Sequence, residues 1–322
     1  MRDHGGNLDW AQARWGGTGW IDLSTGINRV PYPVPALPPE AFTVLPRASA
    51  MEALLAAARL AYGTAAPILA LNGAQAAIQM VPHLAPPGLA RIVTPTYNEH
   101  AATLRAGGWQ VEAVAEVEAL TGADLAVVVN PNNPDGRRWS RETLLNLLPN
   151  VGRLVVDESF ADAAPQDSLA ADAGRDGLLV LRSFGKFYGL AGLRLGFALG
   201  CAGDIARLSA LSGPWPVSGP AIFTGTVALA DRAWAQASAV RLRADALRLD
   251  GVAAGLGFSL IGGTDLFRLY DTPVAGAAQH RLAKRQIWSR IFPWSDRWIR
   301  LGLPGNADWE RLDTRIEDPN AS

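Results

Sequence analysis

Residues 182–196 read RSFGKFYGLAGLRLG. A single lysine, Lys186, stands among glycines, aromatic rings and leucines, with Ser183 three positions before it and Arg194 eight after. A lysine in so apolar a setting suits attack on a carbonyl and Schiff-base chemistry, and the flanking hydroxyl and guanidinium both suit a phosphate. The Gly185–Lys186 pair is not a nucleotide-binding loop. That loop would need glycine at 180 and serine or threonine at 187, where the chain has Val180 and Phe187.

Around this stretch, short apolar runs alternate with helical patterns. Strands are expected over 68–71, 91–94, 125–129, 154–156, 178–181 and 196–199, with helices over 74–83, 100–106 and 141–148. Continuous apolar strands alternating with helices predict an α/β sheet covered on both faces, with its ligand at the carboxyl ends of the strands. The residues just after those strands are therefore the ones to read.

Asn72-Gly73-Ala74-Gln75 opens a helix with small residues whose backbone N–H groups suit a phosphate. Tyr97 offers a flat ring for stacking. Residues 130–136, NPNNPDG, form a tight turn that clusters side-chain amides. Asp157 follows an apolar strand directly, and a buried carboxylate needs a partner such as a protonated heterocyclic nitrogen. Taken singly, these segments also read as an ordinary turn, a half-buried core tyrosine, and a helix cap or salt bridge.

Composition excludes several classes. The 322 residues carry 29 Lys+Arg against 30 Asp+Glu, a net charge of −1, so no basic footprint points to nucleic acid or an anionic membrane. With 49% hydrophobic residues and 18% charged, the chain has ample material for a large core. One cysteine, Cys201, rules out an internal disulfide and any cysteine-based zinc site. The four histidines show no metal-ligand spacing, so no metal is expected. No apolar run is long enough to span a bilayer and the N-terminus has no signal-peptide core, so a cytoplasmic protein is expected. The 11 tryptophans exceed what one core needs, which places some at an interface.

Residues 1–45 are rich in Gly, Pro and Trp and read as an extended arm, because Pro31, Pro33, Pro35, Pro38 and Pro39 forbid regular helix. A large domain is expected over 46–215. A joint and small C-terminal domain follow over 216–322, with a long helical region at 221–255 and then strands and a terminal helix over 258–317.

In this order the motifs resemble the fold-type I pyridoxal-phosphate (PLP) enzymes of the aspartate aminotransferase superfamily, over roughly residues 20–310. The resemblance implies an α/β fold: a large domain with a mostly parallel sheet between helices, a small C-terminal α+β domain and an N-terminal arm. It implies PLP held covalently by Lys186, Asp157 pairing with the pyridine nitrogen, Asn133 bonding the ring's phenolic oxygen and Tyr97 stacking on the ring. Gly73, Ala74, Ser183 and Arg194 would hold the cofactor phosphate, with Gln75 nearby. Arg300, in WIRLGLPG, falls where the family binds a substrate carboxylate. Arg290, in IWSRIFPW, falls where relatives with phosphorylated substrates place a second arginine. A homodimer is also implied.

The arm narrows the branch. Residues 4–7, HGGN, and 21–28, IDLSTGIN, resemble the L-threonine-O-3-phosphate decarboxylase branch of cobalamin biosynthesis. That resemblance implies decarboxylation of O-phospho-L-threonine to (R)-1-amino-2-propanol phosphate. It also implies substrate contacts from His4, Gly6, Asn7, Ile27 and Asn28, beside Arg290 and Arg300. The alternatives are an aminotransferase of the histidinol-phosphate type and a PLP-sensing regulator, which would need an N-terminal DNA-binding domain. Three positions depart from the common pattern: Phe160 where aminotransferases carry tyrosine, Gly185 where serine or threonine is usual, and no tyrosine around Leu45-Pro46-Arg47.

Overall fold

The computed structural model describes residues 4–313. They form two compact units, one of Pro31–Asn133 and Arg137–Gln236, the other of the described parts of Met1–Val30, Pro134–Gly136 and Ala237–Ser322.

The chain opens with helix α1 (Leu8–Trp15) and the short strand β1 (Ile21–Asp22). The expected extended arm is thus corrected. The prolines keep 31–38 irregular, but residues 8–15 contain neither Gly nor Pro and are mostly good helix formers. Asn7 caps the helix, its side chain accepting from the Trp10 amide. Trp10 and Trp15 pack on Trp288 with ring centroids 5.4 and 5.5 Å apart, so the arm's tryptophans make an aromatic seat for its own helix.

The larger unit continues with α2 (Glu40–Thr43) and α3 (Ala48–Tyr62), which ends at Gly63 in the left-handed region, φ 62°. Then come β2 (Ile68–Leu71), α4 (Ala74–Met80), β3 (Leu89–Val93), α5 (Asn98–Ala106), β4 (Gln110–Val114) and β5 (Leu125–Val129). After these follow α6 (Arg141–Leu147), β6 (Leu154–Asp157), β7 (Leu178–Ser183), α7 (Phe184–Phe187), β8 (Gly196–Gly200), α8 (Ala202–Ser212) and α9 (Gly219–Ala230).

The strands form one seven-stranded sheet in the order β2-β8-β7-β6-β5-β3-β4. Only β8 runs against its neighbours; the other pairings are parallel. Strands β5, β6 and β8 are buried at every position, as continuous Val, Leu and Ala runs require in a sheet covered on both faces. Each fully buried Val or Leu contributes about 1.5–3 kcal/mol. The edge strand β4 is an addition to the expected set. Its sequence, QVEAV, leaves Gln110 and Ala113 exposed, so it carries no apolar run to read.

Helix α10 (Arg232–Gly255) leads to β9 (Ser259–Thr264), β10 (Phe267–Asp271), α11 (Ala275–Ala283), β11 (Ile287–Trp288), β12 (Arg290–Phe292), β13 (Ser295–Gly302) and α12 (Trp309–Asp313). Strands β12-β13-β10-β9 make an antiparallel sheet, and β1 pairs parallel with β11. The long helical region at 221–255 is two helices, broken at Asp231, whose side chain accepts from the Trp234 amide and caps α10. The expected final stretch to residue 317 lies beyond the described residues from 314 on. No helix among the described residues is long and apolar enough to cross a membrane.

Candidate active site

The carboxyl ends of β2, β5, β6 and β7 open on one cavity. All nine residues nominated for the cofactor, from Gly73 to Arg194, line it. Its volume is about 140 Å³.

One end is built for an anion. Gly73 caps α4 with φ 75°, a conformation that favours glycine. A Cβ there would lie 2.8 Å from Arg194 Nη2, so only a bare backbone lets the guanidinium cross the start of α4. Gly196 does the same from β8, where a Cβ would strike the Ala74 amide nitrogen. Ser183, the last residue of β7, lines the same cavity. The Gly73 amide is spent on the Leu71 carbonyl at 2.7 Å, but the first turn of α4, a hydroxyl and a guanidinium in one place match a phosphate dianion.

The opposite chemistry sits at the end of β6. Asp157 is 2% exposed, and its Oδ2 lies 2.9 Å from His100 Nε2. Its Oδ1 accepts from the Ser159 amide at 3.0 Å and from Ser159 Oγ at 2.5 Å. Burial alone would raise this carboxyl, but the hydrogen bond and charge of His100 and the two bonds from Ser159 outweigh it, so the pKa is lowered. Asp157 is therefore a fixed buried anion, and an ionised carboxylate only accepts, which puts the shared proton on His100 Nε2.

Flat and polar groups fill the space between. Tyr97 Oη donates to Gln75 Oε1 at 3.1 Å, and Gln75 Nε2 donates to Glu99 Oε2 at 3.2 Å. This chain sets the tyrosine ring, which meets His100 edge-on. The amides of 130–136 divide their work. Asn130 bonds the backbone of Trp139, Asn132 takes a bond from Thr96 and gives one to Pro95, and Asn133 lines the cavity. Lys186 stands half-buried on α7 with Nζ 5.6 Å from the centre of the Phe160 ring. Donors for a phosphate, a buried anion for a ring N–H, an amide and an amine together fit PLP. The sequence reading missed His100 and Ser159. The available signals were their places three and two residues beyond Tyr97 and Asp157.

The residues nominated for substrate lie in the other unit. His4 is exposed and Ile27 half-buried. The Gly6 amide donates to Ser24 Oγ at 2.6 Å and its carbonyl accepts from Trp288 Nε1 at 2.7 Å. Asn7 is the cap of α1. Asn28 is buried, accepting from the Val30 amide and from Arg241 Nη2. Arg290 and Arg300 are brought together as cross-strand partners on β12 and β13, and Arg300 Nη2 donates to the Ser24 carbonyl at 2.6 Å.

Residues 44–302 match the aminotransferase class I and II family. The chain is 42% identical over 326 residues to threonine-phosphate decarboxylase of Pseudomonas aeruginosa, covering 98% of this chain and 97% of that protein. It is 41% identical over 318 residues to a threonine-phosphate decarboxylase from a Sinorhizobium species, covering 96% and 95%. Histidinol-phosphate aminotransferase from Sinorhizobium meliloti, solved in complex with pyridoxal-5'-phosphate, shares the fold with a TM-score of 0.83 over 96% of this chain and 92% of that one, at 19% identity. The chain belongs to the aminotransferase class I and II family of fold-type I, PLP-dependent enzymes, on the branch of the threonine-phosphate decarboxylases.

Proposed function

We propose that this protein decarboxylates O-phospho-L-threonine to (R)-1-amino-2-propanol phosphate and CO2, in the cytoplasm and in the service of cobalamin biosynthesis. The observation that carries the choice of reaction is similarity along the whole chain, arm included, to proteins named for that reaction. The geometry is consistent with it. A substrate with a carboxylate and a phosphate needs two cationic sites, and Arg290 and Arg300 stand on neighbouring strands.

PLP, when bound, supplies the electron sink for the pair left at Cα as CO2 departs. The chain's residues do the rest. Ser183, Arg194 and the backbone at Gly73 and Ala74 bind the cofactor phosphate, Asp157 keeps a proton on the ring nitrogen, and Asn133 bonds the phenolic oxygen. Tyr97 gives the ring a flat neighbour. Lys186 holds the cofactor and then carries on Nζ the proton that Cα takes up. Phe160 offers no hydroxyl beside it. The arginine pair orients the substrate's anionic groups, so remote binding energy selects which Cα bond is broken. His4, Gly6, Asn7, Ile27 and Asn28 complete the substrate's surroundings in this reading.

Assembly belongs to the same reading. The larger unit has an apolar groove lined by Val44, Leu45, Pro46, Ile222, Phe223 and Val227, and a second copy of the chain covers it.

The test incubates purified protein with PLP and O-phospho-L-threonine, without any 2-oxo acid, and follows CO2 and aminopropanol phosphate. Catalytic formation of both, abolished in Lys186→Ala, is expected. Bound cofactor without CO2 release would overturn the reading and direct the next assay to histidinol phosphate with 2-oxoglutarate.

A further inference from the structure

We propose that Arg182, which does not line the cavity, is a positioning residue: it holds the segment after β6 so that Ser159 keeps Asp157 in place for the cofactor ring. The proposal rests on the reading that the cavity holds PLP.

Successive side chains of a strand point to opposite faces. Asp157 and Ser183, ending β6 and β7, face the cavity, and their chain neighbours Glu158 and Arg182 face the other way. Arg182 is 2% exposed and Glu158 fully buried. Arg182 Nη1 donates to Glu158 Oε2 at 2.6 Å, and Nη2 donates to Asp162 Oδ1 at 2.5 Å. The guanidinium also lies 4.4 Å from the centre of the Tyr62 ring. Glu158 in turn accepts from the Leu169 amide and from Ser168 Oγ, both at 2.6 Å. The chain from 158 to 169 is thus wound around one cation from the neighbouring strand.

That segment delivers two groups to the cavity. Ser159 gives Asp157 two of its hydrogen bonds, and Phe160 stands against Lys186. Without the guanidinium, Glu158 and Asp162 become two close buried carboxylates with no shared counter-charge, and the segment that carries them must move. Ser159 moves with it. Asp157 then keeps His100 but loses the two Ser159 bonds that help oppose the effect of its burial, and it becomes a weaker partner for a protonated ring nitrogen. A lysine at 182 would restore the charge but not the two-pronged grip, since its ammonium is a point donor.

The experiment uses the full-length protein and two readouts besides activity: the dissociation constant for PLP, and the pH midpoint of the bound cofactor's absorption. Arg182→Gln is expected to weaken PLP binding at least tenfold and to shift the midpoint. Ser159→Ala should shift it in the same direction. The double variant should be no weaker than Arg182→Gln alone, because both act through one path. Arg182→Lys should recover part of the loss. Asp162→Asn removes one prong while keeping the cation, and it stands in if Arg182→Gln does not fold. The proposal is overturned if Arg182→Gln or Asp162→Asn lowers the melting temperature but leaves both readouts at wild type. Multiplying losses in the double variant would overturn it as well. Wild-type protein that takes up no PLP would instead sink the reading on which it rests.

Discussion

Arg290 and Arg300 lie directly opposite one another on the antiparallel pair β12–β13, so two like charges share one face of the small sheet. Such pairs repel, and Arg300 is 6% exposed. Its burial first, then the Arg290 charge, push the guanidinium down to about 9, with Asp22 opposing. A cation whose pKa is lowered on folding costs stability in full below that value, and the cost eases as pH rises through it. An anion set between the two arginines relieves the same cost. Inorganic phosphate is therefore expected to raise the melting temperature at pH 7.5 and to lose part of that effect by pH 10. The part lost with pH should be missing in Arg300→Met. That variant, free of ligand, should melt close to wild type, because relief of the like-charge contact with Arg290 is set against loss of the bond to the Ser24 carbonyl. Its KM for O-phospho-L-threonine should rise about a hundredfold, the loss of a charge-assisted pair. Thermal melts across phosphate concentration and pH, with steady-state kinetics, check each part.

Gly73→Ala tests the anion cradle. The new Cβ would meet the Arg194 guanidinium on a backbone at φ +75°, so it acts on both conformation and space. With ψ at 160° the position lies in a region essentially reserved for glycine, and a non-glycine residue held there costs about 1–3 kcal/mol. Arg194 is a flexible side chain and will give way, so the fold should survive with a modestly lower melting temperature. Affinity for PLP should fall about tenfold or more, and affinity for pyridoxal without its phosphate should hardly change. Equilibrium titration with both compounds separates a phosphate effect from general damage.

The His100–Asp157 bond sets a pH limit. Asp157 has a lowered pKa, so its contribution is present above the unfolded value and is lost as pH falls through the folded one. Cofactor binding that depends on the carboxylate follows the same sign. His100→Phe removes a donor and moves the loss to higher pH. One pKa step is about tenfold in affinity, so PLP binding to the variant should weaken by about that factor at acid pH and by less at pH 8. A pH series of dissociation constants for both proteins decides this, and a parallel offset at every pH would refute it.

The residues nominated for the cofactor come together in one cavity because most of them end an apolar strand or lie within a few residues after one; Arg194, just ahead of β8, is the exception. Strand ends are what an alternating pattern locates best. Lys186 and Asp157 needed no structure to be singled out. His100 did, since it meets Asp157 across 57 residues and a lone histidine on a helix has no spacing to betray it. Arg182 was hidden for a related reason: its partners, Glu158 and Asp162, lie beyond a neighbouring strand and form no motif. Strand β4 escaped because its alternation is irregular at a sheet edge. Helix α1 escaped because the arm's prolines, all beyond residue 30, coloured the reading of the whole segment. Asn7 caps α1 and Asn28 accepts from the Val30 amide, local roles that residue type alone does not separate from a ligand contact.

The last prediction concerns assembly. Leu45, 62% exposed, lines the groove with Val44, Ile222, Phe223 and Val227, and Phe42, 67% exposed, follows the lining residue Ala41 in the chain. Apolar area removed from water is worth about 25 cal/mol per Å², and a contiguous patch of this kind on a chain of this size marks a contact surface. Wild-type protein is expected to sediment as a dimer. Charged residues there should separate the copies, since each would have to be buried without a partner, so the double variant Phe42→Asp, Leu45→Asp should sediment as a monomer. The nine residues nominated for the cofactor all line one cavity of the larger unit, and no tyrosine stands at Leu45-Pro46-Arg47 to reach a neighbour's cofactor. PLP binding is therefore expected to persist in the monomer. A monomeric variant that has lost the cofactor would show that the second copy completes the site, and a wild type that sediments as a monomer would remove this face as a dimer contact.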